Sequence, residues 1–331
     1  MSNWKWNWFE TERAKCAATY AGSYGHEYEK PSLHHASHFG VSSNHDFTPH
    51  MIEAKWSSEV GWDPAYIVPH ANMSLYPAAK VLSRGQQVYD ILQALMGFDN
   101  RIRLFRPNLH LERFRRSAAR LGLPDFDANE MTICLKRLIL TDASFLPPSY
   151  SNGSLEIRAI LVGVDDNLHF KPSEEAVLYV FMNRQTATTL AEITKPQSVF
   201  VDSQYTRSWS GGIGEFMTSA NDASTLLVTQ IALSQGYTDV LWLYSKEELM
   251  TSLNDANIFL FVINELGKRE LITPPLNGLI IPGILRQTIL EMARHWVTIF
   301  FLSSPLFSRK LHFLSRMYFF LTPYVKYIFP F

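Results

Sequence analysis

The chain has 331 residues, 47% of them hydrophobic and 18% charged, with 30 Lys and Arg against 31 Asp and Glu. That balance excludes a disordered chain and a disulfide-stapled miniprotein, and a net charge of −1 argues against bulk nucleic acid or an anionic membrane as partner. Two cysteines, Cys16 and Cys134, cannot build a disulfide framework or a cysteine-based zinc site.

Residues 1–45 have no clear hydrophobic period and read as an N-terminal arm. They have no apolar signal core, and Glu10 and Glu12 speak against a transit peptide, so a cytoplasmic protein is expected. His34, His35 and His38 lack a carboxylate or cysteine partner at metal-ligand spacing, and no metal site is expected. From residue 46, strand-like and helix-like runs alternate. Val81 to Leu95 has helical spacing. Leu111, Phe114, Ala118 and Leu121 recur at threes and fours and predict a second helix, stopped by Gly122 and Pro124. Asp127 with Glu130 predicts a cap ahead of a helix from Met131 to Leu140. Leu155 to Val162 and Ala176 to Met182 predict buried strands.

The polar stretch 184–197, with Pro196 near its end, is the expected interdomain linker, which makes 46–183 a first α/β domain. A Gly-rich turn at Gly211, Gly212 and Gly214 precedes a helix expected from Asp222 to Ser234, with Gly236 at its cap. Val240 to Tyr244 and Ile258 to Ile263 read as strands, and Ile284 to Trp296 as an amphipathic helix. Residues 297–331 hold eight of the 22 Phe residues and no acid. Their basic residues are too frequent for a membrane span, and Pro305, Pro323 and Pro330 disfavour one long helix on a membrane surface.

Several segments, taken together and in order, resemble the branched-chain amino-acid aminotransferases, pyridoxal-phosphate (PLP) enzymes of class IV. They are WSSEVGWDP (56–64), LFRPNLHLERFRRSA (104–118), SLEIR (154–158), WSGGIGEF (209–216), VLWLYS (240–245) and TPPLNGLIIPGILRQTIL (273–290). The resemblance runs from about residue 40 to residue 296. It implies a mixed α/β, two-domain fold type IV aminotransferase, with 198–296 as an incomplete large PLP domain and 297–331 as a hydrophobic tail without counterpart in the family. It implies PLP in a cleft between the domains. It also implies a homodimer, or a heterodimer with a paralogue, acting on amino acids and 2-oxo acids. A transcript joined differently after Trp296 would restore the family's ending if the tail is translated intron.

Such chemistry needs a lysine to hold the cofactor as an imine and to carry a proton, a carboxylate to keep the pyridine nitrogen protonated, and an anion site for the phosphate. By resemblance, Arg113 falls on the phosphate-binding Arg, and the backbone at Ile284 and Leu285 on the second phosphate turn. Tyr89 falls on a pocket aromatic and Arg158 on a pocket-edge Arg. The departures concern the chemistry. Met217 stands at the lysine position, and a thioether neither forms an imine nor carries a proton. Asp222 stands at the phenol position that meets the 3′ oxygen, where a carboxylate repels it. Ser252 replaces the pyridine-nitrogen glutamate, and Asp255 the neighbouring Thr. Two aromatic pocket positions have become Arg84 and Glu156, which disfavours a branched aliphatic substrate.

The resemblance therefore implies amino-group transfer between Leu, Ile or Val-like amino acids and 2-oxoglutarate, impaired or lost in this chain, with covalent cofactor attachment not expected. Two other readings stay open. One is a transaminase for an atypical substrate using another lysine such as Lys246. The other is a non-catalytic dimerisation partner. Sequence spacing also leaves open whether Glu156, Asp222 and Asp255 converge or are unrelated surface acids.

Overall fold

In a computed structural model the structure describes residues 46–151, 153–185, 197–263 and 269–295, together with three short tail strands. The arm 1–45 with its histidines, residues 186–196 of the expected linker, Trp296 and most of the tail lie outside the described residues.

The first half is one seven-stranded antiparallel sheet. Its strands are β1 (His50–Ser57), β2 (Gly61–Trp62), β3 (Tyr66–Pro69), β4 (Gln87–Met96), β5 (Ile102–Leu104), β6 (Ser154–Gly163) and β7 (Glu175–Gln185). They lie in the order β2-β1-β7-β6-β4-β5, with β3 paired to the same edge of β1 as β2, opposite β7. The two buried strands expected from sequence are β6 and β7. Arg184 and Gln185 close β7 rather than beginning a linker.

The expected helix from Val81 to Leu95 is not formed. Helix α1 (Lys80–Arg84) lasts five residues and ends at Gly85, whose φ of 64° is left-handed, and the chain then extends as β4. Val88 and Leu92 lie four apart, which suits a helix and a strand alike. Asp90 and Ala94 share their buried face, so the decisive period is two. Helices α2 (Pro107–Arg120) and α3 (Ala128–Thr141) pack on that face. Leu111, Phe114 and Ala118 are fully buried, as their spacing predicts. Leu121 lies just past the end of α2, at its C-cap. Gly122 follows at φ 65°, within 3.4 Å of Pro172 for any added Cβ. Asp127 caps α3, accepting from the N–H groups of Asn129 and Glu130.

In the second half, the expected single helix from Asp222 to Ser234 is two pieces, α4 (Ser219–Ala223) and α5 (Leu226–Ser234). The Thr225 hydroxyl donates to the Asp222 carbonyl at the break. The run Val240 to Tyr244 is likewise divided. Val240 ends β9 (Asp239–Val240), which pairs in parallel with β8 (Val199–Phe200). Leu243 begins β10 (Leu243–Tyr244), which pairs with β11 (Leu249–Met250).

Strands β12 (Ile258–Ile263) and β13 (Arg269–Ile272) form the centre of a five-stranded sheet completed by the tail strands β14 (Phe300–Leu302), β15 (Tyr318–Leu321) and β16 (Lys326–Ile328). The helix expected from Ile284 to Trp296 is α6, which covers Ile284–His295. Among the described residues, no helix is long and apolar enough to cross a membrane.

Candidate functional site

The alternation that sends Val88, Asp90 and Leu92 into the core turns Gln87, Tyr89, Ile91 and Gln93 the other way. On β6 the same period presents Glu156, Arg158 and Ile160, opposite Gln93, Ile91 and Tyr89. These residues form one wall of a cleft of about 900 Å3. The opposite wall comes from the second half: Arg207, Met217 and Asp222, the turn Ser252 to Asn257, and Ile284 and Leu285 at the start of α6.

Ten of the eleven residues singled out from sequence therefore line one cleft: Tyr89, Arg113, Glu156, Arg158, Met217, Asp222, Ser252, Asp255, Ile284 and Leu285. Arg84 is the exception. It lies four residues after Lys80 on α1, so both side chains share one helix face and meet the loop between β6 and β7. Buried Lys80 pairs with Asp165 at 2.8 Å, while Arg84 donates to the Leu168 carbonyl at 2.6 Å and lies 4.0 Å above the Phe170 ring. Lys246 is also not among the lining residues, and among the described residues no lysine lines the cleft.

Met217 is held by its backbone. Its N–H donates to the Ser117 hydroxyl at 3.1 Å, and its carbonyl accepts from the Tyr89 N–H at 3.2 Å. The sheet edge thus reaches the second half through Met217, and its thioether side chain is left facing the cleft.

Beside it the Tyr89 hydroxyl donates to an Asp222 carboxyl oxygen at 2.5 Å. The second Asp222 oxygen lies 3.9 Å from Nη2 of Arg207. Burial raises the Asp222 carboxyl above its ordinary range, and nearby Asp255 adds to this. Burial and the Asp222 charge push the Tyr89 phenol up. Burial lowers Arg207, whose Nε and Nη2 are buried without a hydrogen-bond partner. The three acids do not behave as unrelated surface groups. Asp222 and Asp255 act on the same phenol and guanidinium, while Glu156 is buried and accepts from Nε of Arg158 at 2.6 Å.

At the other end of the cleft, the Arg113 fork closes on Asp90, Nε to one oxygen at 2.8 Å and Nη2 to the other at 2.9 Å. His110 shares that carboxylate at 2.7 Å. Burial alone would raise Asp90, but the Arg113 guanidinium and His110 hold it below the usual carboxylate range. Nη1 of Arg113 reaches the Pro282 carbonyl at 3.3 Å, two residues before α6 begins. A Cβ at the intervening Gly283 would meet the Asn257 side chain at 2.0 Å, so a larger residue there would displace Asn257. The first N–H groups of a helix have no intrahelical partner, and those at Ile284 and Leu285 stand at the cleft wall beside the Arg113 charge. This end is suited to an anion.

Sequence reasoning passed over Arg207 and Asp90. Arg207 lies two residues before the WSGGIGEF segment, and a cation next to a Gly-rich turn was the available signal. Asp90 was marked by its place in strand alternation, an acid between Val88 and Leu92 on an apolar face.

Residues 87–299 match the family described as Amino-transferase class IV. The chain is 41% identical over 258 residues to the cytosolic branched-chain-amino-acid aminotransferase of Rattus norvegicus, covering 78% of this chain and 62% of that protein. It is 40% identical over 250 residues to the mitochondrial enzyme of Bos taurus, covering 76% and 63%. The chain thus spans less than two thirds of these relatives' length. Among solved structures, it is similar to the branched-chain aminotransferase of Thermobaculum terrenum in its PLP form, with a TM-score of 0.67, 16% identity and coverage of 86% and 85%. It is similar also to the branched-chain aminotransferase of the archaeon Thermoproteus uzoniensis with norvaline, with a TM-score of 0.64, 18% identity and coverage of 84% and 86%. At those identities the structures speak for the fold alone: mixed α and β, of the branched-chain aminotransferase type.

Proposed function

Given that the chain belongs to the class IV aminotransferase family, we propose that it is a degenerate branched-chain aminotransferase. In this reading it keeps the cofactor cleft and has lost the covalent anchor. Transfer of an amino group between Leu, Ile or Val-like amino acids and 2-oxoglutarate is then impaired or absent. The observation that carries this reading is Met217, a thioether on the cleft wall at the position where the resemblance calls for lysine.

The residues fit one part of a phosphorylated pyridine and not another. The turn at Gly283 to Leu285, where the first helical N–H groups stand at the cleft wall, suits a phosphate. The cleft volume accommodates the ring. The aldehyde has no lysine to join, and Ser252 offers a hydroxyl where a carboxylate would hold the ring nitrogen protonated. PLP supplies an electron sink when bound. Without a proton-carrying amine beside it, this chain's residues bind and orient such a ligand but do not move the substrate proton. The Glu156–Arg158 pair makes the substrate wall polar, which disfavours an aliphatic side chain. By resemblance the protein is a homodimer, or pairs with an active paralogue.

The test is reduction by borohydride in the presence of PLP, followed by peptide mapping. The unchanged protein is expected to carry no pyridoxyl group, and Met217→Lys is expected to acquire one at residue 217. A labelled lysine in the unchanged protein, at Lys246 or elsewhere, would overturn the reading.

A further inference from the structure

Resting on the proposal of an unanchored cofactor cleft, we infer that the cleft selects the amine over the aldehyde form of the phosphorylated pyridine, pyridoxamine 5′-phosphate over pyridoxal 5′-phosphate, with Asp222 as counter-ion of the ammonium group. Two neighbouring unmet polar needs point to this ligand. Nε and Nη2 of Arg207 are buried with no acceptor, although the side chain is only 2% exposed. Leaving such donors unpaired costs stability, so an acceptor oxygen from a ligand is expected beside them. One Asp222 oxygen takes the Tyr89 proton, and the other has only Arg207 at 3.9 Å, beyond hydrogen-bonding distance. It calls for a donor.

A ligand that satisfies both carries an acceptor oxygen and a cationic donor on adjacent atoms. Pyridoxamine phosphate has that arrangement: a ring hydroxyl oxygen and, on the next ring carbon, an aminomethyl group that is protonated at neutral pH. The aldehyde form presents a carbonyl oxygen in the same place. A carbonyl donates nothing to Asp222, and its lone pairs face a carboxylate. In an enzyme with a lysine, a covalent bond would offset that mismatch, but no lysine is found among the described lining residues.

The charge balance agrees. Asp90 closes the fork of Arg113, and Glu156 pairs with Arg158. The groups that remain at this end are Arg207, Asp222 and Asp255, one cation beside two acids, an arrangement that favours a cationic ligand group. At the opposite end the α6 turn awaits an anion. A phosphorylated primary amine matches both ends of the cleft, and discrimination arises from the repelled carbonyl as much as from the paired ammonium.

Equilibrium dialysis of the full chain against each compound tests this. Pyridoxamine phosphate is expected to bind at least tenfold more tightly than pyridoxal phosphate, and inorganic phosphate to compete with both. Asp222→Asn is expected to weaken the amine tenfold or more and to bring the two affinities together, while its melting curve reports whether it folds. Should that variant fail to fold, the affinity ratio of the unchanged protein decides. Equal affinities, or a preference for the aldehyde without a borohydride-stable adduct, overturn this inference and leave the unanchored-cleft reading standing. A lysyl adduct in the unchanged protein overturns that reading first. Binding of neither compound overturns the inference and removes the cofactor from the reading.

Discussion

Asp90 shows how one residue can serve core and cleft together. It is fully buried among the side chains under the sheet, yet it carries the charge that fixes Arg113 and His110. Removing one partner of a buried pair leaves the other charge uncompensated. Asp90→Asn is therefore expected to lower the unfolding free energy by about 3–5 kcal/mol, measurable by urea denaturation, and to free the Arg113 fork. The pH dependence follows from the sign of the shift. The folded carboxyl sits below its ordinary value, so its contribution is present above the unfolded-state pKa of about 3.9 and is lost as pH falls through the folded value. A stability–pH profile of the unchanged protein should decline below about pH 4 more steeply than that of Asp90→Asn. At the same scale, the cleft positions of Met217 and Asp222 agree with where the resemblance puts them. Arg207 was not legible in the sequence, because the absence of a hydrogen-bond partner is a fact of three dimensions.

At the scale of elements, the cleft wall is a consequence of strand periodicity. Strands β4 and β6 each put alternate residues into the core, and the remaining set becomes the wall. A helix over Val81 to Leu95 would have scattered Tyr89, Ile91 and Gln93 around its axis. The left-handed turn at Gly85 prevents that. Helix α3 was readable at its start because its cap is local: Asp127 bonds donors two and three residues ahead. Asp127→Ala should cost about 1 kcal/mol in thermal unfolding, with no change in the cleft. Phe114, fully buried on α2 against Phe126, should cost more, about 3–5 kcal/mol on replacement by Ala. The break between α4 and α5 was not readable, since Asp222 to Ser234 has no Gly or Pro to mark it. There a side-chain hydroxyl bonds a carbonyl within the chain's own turn.

For the whole molecule, the two halves meet through side chains from distant parts of the chain. Arg106 reaches Glu291 at 2.6 Å, Tyr89 reaches Asp222, and Arg113 reaches the Pro282 carbonyl. The tail takes part in the second half: β15 pairs antiparallel with β12, and β14 pairs in parallel with β13. In β12, Ile258, Phe259 and Leu260 are buried to within 1%. Deleting everything after His295 should uncover both edges of the β12–β13 hairpin. Unpaired strand edges invite association. The shortened protein is expected to sediment as aggregates at concentrations where the full chain remains dispersed, with light scattering as the readout.

The sequence by itself determined the family, the residue types that stand at 217, 222 and 252, and the elements whose signals are short-ranged: caps, stop glycines and apolar faces of helices. These depend on residue type and on neighbours a few positions away. Only the tertiary structure decided that Arg84 leaves the cleft, that Arg207 enters it with unmet donors, and that three carboxylates far apart in the chain stand on one cavity. Those outcomes depend on strand register and on what packs across the cleft, and neither is a property of any local stretch of residues.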